Sequence, residues 1–277
     1  MNKKVIETAV RMSLEEDIGT EDITTTQLIA ARKVVNAVVV SQEESAILCG
    51  IPWFEMVYHQ IDPGVKIDWN VNEGFRIVKG QLFVKLTGKA RSILTGERTA
   101  LNWLQTLSGT ATLVRFYTEK LKNTKIQLFD TRKTIPCIRY AQKYAVRCGG
   151  GKNHRMGLYD AFLIKENHIV VCGSITAAIQ KAQNYSPKKL IEVEVESIEE
   201  LQEALSAKAD VIMLDNFDVD SIKKAIAINN GQSRLEVSGN INLQNIQEIR
   251  KTGIDFISVG AITKHVNSVD FSMRVLS

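Results

Sequence analysis

Ile191-Glu192-Val193-Glu194, Val211-Ile212-Met213-Leu214-Asp215, Leu235-Glu236-Val237-Ser238 and Phe256-Ile257-Ser258-Val259-Gly260 are four short apolar runs, each closing on a polar residue or glycine. Their last residues fall 21, 23 and 22 positions apart, the length of one strand plus one helix. The segments between them, such as 197–207 and 243–252, are amphipathic. Repeated βα units of this length predict parallel strands, here in a (β/α) barrel. A doubly wound open sheet is the alternative, because periodicity alone does not prove closure.

Two earlier runs of the same kind extend the series upstream: Ile126-Gln127-Leu128-Phe129-Asp130 and Ala161-Phe162-Leu163-Ile164-Lys165. Before them, 97–122 reads as the longest helix, with Leu101, Leu104, Leu107, Ala111 and Val114 on one face and a break expected at Ser108-Gly109. The first hundred residues have another texture. A helix over 3–16 is followed by strands around 34–40, 65–69 and 81–86, with a helix over 51–60, which predicts an antiparallel sheet with helices.

Composition narrows the function. The 277 residues are 44% hydrophobic and 24% charged, the balance of a globular chain. No apolar run approaches the roughly 18 residues of a membrane span, and the start lacks the apolar segment of a secretory signal, so a cytoplasmic protein is expected. Cys49, Cys137, Cys148 and Cys172 form no CxxC pair and no zinc-ligand spacing, so free thiols are expected. The net charge is +4, yet 131–165 alone carries eight Lys or Arg and one acid, Asp160. With the rest of the chain slightly acidic, such a concentrated cluster points to a compact anionic ligand rather than to nucleic acid.

Barrel enzymes collect their chemistry at the carboxyl ends of the strands. The strand-end candidates are Asp130, Lys165, Glu194, Asp215, Ser238 and Gly260. Arg132 and Lys133, directly after a strand, suit a carboxylate and a phosphate, one by its planar fork and the other as a point charge. Gly149-Gly150-Gly151-Lys152-Asn153-His154-Arg155 permits close ligand approach but is no Walker motif. Glu194 and Asp215 suit sugar hydroxyls or a metal-bound diphosphate, and Ser238-Gly239-Asn240 with Gly260 suits a phosphate. His59, His168 and His265 have no ligand-like spacing. Lys165 read by itself also fits an imine-forming barrel aldolase.

Several of these words occur together and in order: Asp130-Thr131-Arg132-Lys133-Thr134, Lys143-Tyr144-Ala145-Val146-Arg147-Cys148-Gly149-Gly150-Gly151, Asn153-His154-Arg155-Met156-Gly157-Leu158 and Leu163-Ile164-Lys165-Glu166-Asn167-His168. With Glu97-Arg98 and Leu101-Asn102 they resemble the quinolinate phosphoribosyltransferases, also called nicotinate-nucleotide pyrophosphorylases, the decarboxylating enzymes of NAD biosynthesis. The resemblance implies an α/β fold: an N-terminal α/β sandwich domain over 1–108, joined by the tail 266–277, and a C-terminal incomplete (β/α) barrel over 109–265. It implies formation of nicotinate mononucleotide, pyrophosphate and CO₂ from quinolinate and phosphoribosyl pyrophosphate. Arg132, His154, Arg155 and Lys165 would hold quinolinate. Lys133, Glu194, Asp215, Ser238, Gly239, Asn240 and Gly260 would hold the sugar donor, with Lys133, Lys165, Glu194 and Asp215 nearest the chemistry. Mg²⁺ would ride mainly on the substrate's diphosphate, near Glu194 and Asp215. A homodimer is implied, with Arg98 reaching the neighbour's site, and neither nucleic acid nor membrane as partner.

The sequence departs from the family pattern at four places. Cys137 stands where glycine is usual, Glu166 replaces an Asp, Asn240 replaces a second glycine, and Thr263-Lys264-His265 replaces Thr-His-Ser, which makes Lys264 a candidate phosphate contact. The nearest rival is a relative with another acceptor, nicotinate or that of the molybdate-operon protein. A monocarboxylate would not need Arg132, His154, Arg155 and Lys165 together.

Overall fold

The computed structural model describes residues 2–276. In chain order the elements are α1 (Lys3–Ile18), α2 (Ile23–Leu28), β1 (Val34–Ser41), β2 (Ala46–Ile47), α3 (Ile51–Ile61), β3 (Lys66–Trp69), β4 (Arg76–Ile77), β5 (Leu82–Lys89) and α4 (Ala90–Lys120). They continue with β6 (Gln127–Phe129), α5 (Arg139–Cys148), β7 (Phe162–Ile164), α6 (Glu166–Cys172), α7 (Ile175–Tyr185), β8 (Ile191–Val195), α8 (Ile198–Ser206), β9 (Val211–Asp215), α9 (Val219–Asn229), β10 (Arg234–Ser238), α10 (Ile246–Ile249), β11 (Phe256–Ser258), α11 (Ala261–Lys264) and β12 (Phe271–Leu276). Two compact units result: 1–115 with 135–150 and 265–277, and 116–134 with 151–264.

The first unit is built on an antiparallel sheet in the order β12-β1-β5-β3. Alternation sends Ala37 and Val39 of β1, and Val84 and Leu86 of β5, into the core. Ile6, Val10 and Leu14 of α1, spaced four apart, meet the same core, as do Trp53, Phe54 and Val57 of α3. Trp53 stacks on Trp103 at 6.0 Å between ring centres and tilts against Tyr144 at 5.3 Å. That aromatic cluster is why 135–150 belongs here although it follows β6: α5 lays Ala141, Tyr144 and Ala145 on it. The tail returns to the first unit, β12 pairing with β1 from Asn36↔Leu276 to Ser41↔Phe271. Met1 and Ser277, the ends of the expected first domain, lie outside the described residues.

One helix differs from its sequence reading. No break occurs at Ser108-Gly109; α4 runs unbroken for 31 residues. Gly109 serves close packing instead, since a Cβ there would lie 2.1 Å from the Asn267 carbonyl oxygen. Ser108 is tied to the chain before α3, its Oγ accepting from Cys49 N at 2.9 Å and donating to Cys49 O at 3.1 Å.

In the second unit six parallel strands take the order β6-β11-β10-β9-β8-β7. From β7 to β11 chain neighbours are sheet neighbours, and β6 then lies beside β11. A doubly wound sheet would reverse direction at a switch point. This order runs one way round and leaves a single seam between β6 and β7, so the unit is an incomplete barrel. Helix starts are set by short polar caps: Ser174, Ser197 and Asp218 accept from backbone N–H groups three residues on, in α7, α8 and α9. Among the described residues no helix is long and apolar enough to cross a membrane.

Candidate active site

Because the six strands are parallel, their carboxyl ends meet on one side, and a cavity of about 370 Å³ opens there. It is lined by Thr131, Arg132 and Lys133 after β6, by His154 and Arg155, and by Lys165 after β7. Glu194, Asp215, Ser238 and Ser258 of β8 to β11 complete it with Leu163 and Met213. Eight of the residues singled out in the sequence therefore share one pocket: Arg132, Lys133, His154, Arg155, Lys165, Glu194, Asp215 and Ser238. Gly239, Asn240 and Gly260 are not among its lining residues, though Gly260 packs against Lys133, which is one of them. A Cβ on Gly260 would stand 2.9 Å from Lys133 Cδ, and one on Gly239 would stand 2.2 Å from Asn216 Oδ1. Arg98 is an exposed residue of α4 in the first unit. Lys264 ends α11 exposed and is not among the lining residues.

The loop that carries His154 and Arg155 is fastened by Asp130. This fully buried carboxylate accepts from Asn153 Nδ2 at 2.6 Å and from His154 N at 2.9 Å. Asp130 thus acts as a clamp under the site. Asp160 does the same for the next turn, accepting from the N–H groups of Met156 and Gly157. On the opposite rim Thr263 Oγ1 donates to the Lys133 carbonyl at 2.7 Å and the Thr131 hydroxyl accepts from Lys133 N at 3.0 Å, fixing the turn that presents Lys133. His168 is drawn into α6 as a cap, its Nδ1 accepting from Lys165 N at 3.0 Å.

Charge in the pocket is divided. Burial, and then the Arg132 guanidinium, pull Arg155 below the usual arginine range, and its Nε is buried without a hydrogen-bond partner among the described residues. Two guanidinium groups that repel each other within one cavity suit an anion that both can share. Lys165 Nζ is hydrogen-bonded to Glu194 Oε2. Burial, then the Glu194 charge, push Asp215 above the usual carboxylate range, while Lys165 and Lys133 pull it back.

A second layer lies two residues further down the strands, where the sequence reading named nothing. Glu192 and Glu236 are each 2% exposed. His154 Nε2 lies 2.8 Å from Glu192 Oε2 and 4.0 Å from Glu236 Oε1, and His154 Nδ1 accepts from Arg155 N at 2.8 Å. The backbone donor leaves Nδ1 as an acceptor, so Nε2 carries the proton and donates it to Glu192. His154 is therefore engaged by the protein on both nitrogens, while its ring walls the pocket. Burial, then the Glu192 charge, push Glu236 up to about 8, so this pair holds a proton at neutral pH. A usable signal was present. Ile191-Glu192-Val193-Glu194 puts two acids on one face of a strand, and a barrel strand covered by helices outside must turn that face inward.

Two departures from the family pattern are also explained. Asn240 has φ +50° and Cys137 φ +66°, the left-handed region that favours glycine. Asn tolerates it, and Asn240 is held by Nδ2 donating to Asn216 Oδ1 at 3.2 Å and by its carbonyl accepting from Asn245 Nδ2 at 2.9 Å.

The models of the quinolinate phosphoribosyl transferase N-terminal and C-terminal domains match residues 22–108 and 110–274. The chain belongs to the quinolinate phosphoribosyltransferase family. It is 41% identical over 261 residues to a probable nicotinate-nucleotide pyrophosphorylase [carboxylating] of Bacillus subtilis, covering 94% of this chain and 90% of that one. A quinolinate phosphoribosyltransferase [decarboxylating] of Nicotiana tabacum is 36% identical, with 96% and 81% covered. The structure of the nicotinate-nucleotide pyrophosphorylase from Francisella tularensis superposes with TM-score 0.96 at 47% identity, covering 100% and 98% of the two chains. A human nicotinic acid phosphoribosyltransferase shares the fold at TM-score 0.67 with 11% identity.

Proposed function

We propose that the protein transfers the phosphoribosyl group of phosphoribosyl pyrophosphate to the ring nitrogen of quinolinate and releases pyrophosphate and CO₂, leaving nicotinate mononucleotide. The observation that carries this reading is the division of charge in one cavity, with Arg132, Arg155, Lys133 and Lys165 together and Glu194 and Asp215 beside them. Quinolinate brings two carboxylates on adjacent ring carbons, and the sugar donor brings a monophosphate, a diphosphate and ribose hydroxyls. Arg132 and Arg155 would orient the two carboxylates, with the His154 ring fixing the plane of the pyridine. Glu194 and Asp215 would accept from the ribose hydroxyls.

The pyridine nitrogen has its own lone pair, so the transfer needs no general base. The lone pair forms the bond to C1 as the bond to pyrophosphate breaks, and positioning supplies most of the rate. The ring nitrogen is then cationic. When the bond to the neighbouring carboxylate breaks, CO₂ leaves and the electron pair stays on ring carbon 2 beside that positive charge, until a proton from water restores the C–H bond. The cations hold charge that is already fixed in place, as preorganised donors do.

Mg²⁺ fits the same end of the cavity. Two neighbouring carboxylates, with Asp215 pushed up by burial and then by the Glu194 charge, favour a divalent cation carried in on the diphosphate. Bound there, it would neutralise charge on the leaving group. The Lys165 amine is engaged by Glu194, which favours anion binding over imine formation. A homodimer with Arg98 reaching the neighbour's site accords with the exposed position of Arg98 on α4.

Purified protein assayed with Mg²⁺, phosphoribosyl pyrophosphate and either acid tests the reading. Equal amounts of nicotinate mononucleotide and CO₂ are expected from quinolinate, and no turnover of nicotinate. Mixing Arg98→Ala with Lys165→Ala subunits tests the shared site: two inactive variants should regain activity on mixing, and none would return if each site were complete in one chain.

A further inference from the structure

Three ligand-bearing side chains that the reaction does not use meet inside the first unit. Cys49 comes from the short segment before α3, Glu73 from the turn before β4, and Cys148 from the last residue of α5. Their two Sγ atoms and a carboxylate oxygen all lie within 4.8 Å of one another, and Cys148 Sγ is 3.8 Å from Glu73 Oε1. Nothing in the spacing 49, 73, 148 reveals this; the folding of α5 onto the aromatic cluster brings it about.

Two of the three are held rigidly. The Glu73 carboxylate sits over the start of α3, where Oε1 accepts from Gly50 N at 2.6 Å and Oε2 from Ile51 N at 3.0 Å. The carboxylate also accepts from the Cys148 and Cys49 thiols and from Tyr144, and loss of the two thiol protons on metal binding would free lone pairs for the ion. Cys49 is wholly buried and its backbone is pinned on both sides by Ser108. Cys148 is half-buried, so the group has a face toward solvent. Three atoms from 3.8 Å to at most 4.8 Å apart stand about 2.2–2.8 Å from the point between them, so a small inward turn of the side chains reaches the Zn²⁺ bond lengths to thiolate and carboxylate, about 2.3 and 2.0–2.2 Å. Thiolates also select for a thiophilic ion over Mg²⁺ or Ca²⁺.

We propose that Cys49, Glu73 and Cys148 form a binding site for a thiophilic divalent cation, Zn²⁺ first, with water in the fourth position. On binding, each thiol gives its proton to solvent as the metal–sulfur bond forms, with no change of oxidation state. The ion would join the segment before α3, the turn before β4 and the end of α5, immediately before Gly149-Gly150-Gly151. Its role is to fasten α5, and it takes no part in the transfer reaction.

The test uses the full chain, reduced, stripped with a chelator and titrated with Co²⁺ without oxygen. A sulfur-to-cobalt charge-transfer band that saturates at one equivalent and is abolished by one equivalent of Zn²⁺ is expected. Protein expressed with added zinc should retain about one zinc per chain by elemental analysis. Cys148→Ser should lose the band and the zinc while its circular dichroism is unchanged, Glu73→Gln should weaken Co²⁺ binding at least tenfold, and Cys172→Ser should change neither. Absence of the band in the reduced protein would overturn the proposal, as would its persistence in Cys148→Ser. So would a Cys49–Cys148 disulfide, found by thiol-labelling mass spectrometry, in protein kept under reductant.

Discussion

The aromatic core of the first unit and the mouth of the barrel handle polarity in opposite ways. Around Trp53, Trp103 and Tyr144 apolar surface is covered by apolar surface, and the few polar atoms, such as Ser108 Oγ and Cys49 N, find partners within the chain. At the barrel mouth two guanidinium groups crowd each other, the Glu194 charge crowds Asp215, and Arg155 Nε is buried without a hydrogen-bond partner among the described residues. One region is complete as folded. The other is completed by a ligand, and the free energy it leaves unspent on folding is what binds substrate. A variant should therefore lose stability in the first region and activity in the second.

The largest loss is expected from Trp53→Ala. Its side chain is 1% exposed, and an aromatic-to-alanine change in a core costs about 3–5 kcal/mol, seen as a lower denaturant midpoint, with substrate affinity of the folded fraction kept. Arg155→Ala should reverse that pattern. Loss of a half-buried cation that pairs with a substrate carboxylate is worth about 3 kcal/mol, somewhat over a hundredfold in kcat/KM for quinolinate, while Tm barely moves. Unchanged quinolinate affinity would remove Arg155 from the acceptor site.

Next comes Glu236→Gln, which separates the two layers of the barrel by pH. The Glu236 carboxyl is pushed up from its ordinary value to about 8, so the folded state holds a proton that the unfolded chain has already released. Stability is then highest below the ordinary carboxylate range and falls as pH rises toward 8, beyond which both states are ionised. The variant lacks this loss: its Tm should exceed that of the wild type at pH 8 and converge with it near pH 5. Parallel curves would mean that the proton is not held at Glu236.

The smallest effect separates two left-handed residues. Cys137→Gly relieves a bulky residue at φ +66° and should gain about 0.5–1 kcal/mol. Asn240→Gly, at φ +50°, should gain nothing, because Asn accepts that conformation and its amide is bonded to Asn216. Equal gains at both would make backbone strain the wrong explanation.

Much of the site was legible in the residues because parallel strands end together. Once Glu194, Asp215, Ser238 and the residues after Phe129 and Ile164 are read as strand ends, their convergence follows from the architecture. Glu192 and Glu236 were not legible as a pair. Alternation puts them on the strand's inner face but does not say that two acids from non-adjacent strands will share His154. Gly109 was misread for a related reason: a glycine in a helix reads as a break locally, while its use here is to admit the Asn267 carbonyl from the far end of the chain.

By itself the sequence determined the βα repeat, the basic segment 131–165 and the family, since each is written in short-range order and residue identity. Only the tertiary structure decided that α5 packs with the first unit, that Asp130 is a clamp, that His154 rests on a buried carboxylate pair, and that Cys49, Glu73 and Cys148 meet. The physical reason is common to all four. Each depends on contacts between residues far apart in the chain, made when burial of apolar surface fixes where the elements go, and spacing along the chain carries no record of them.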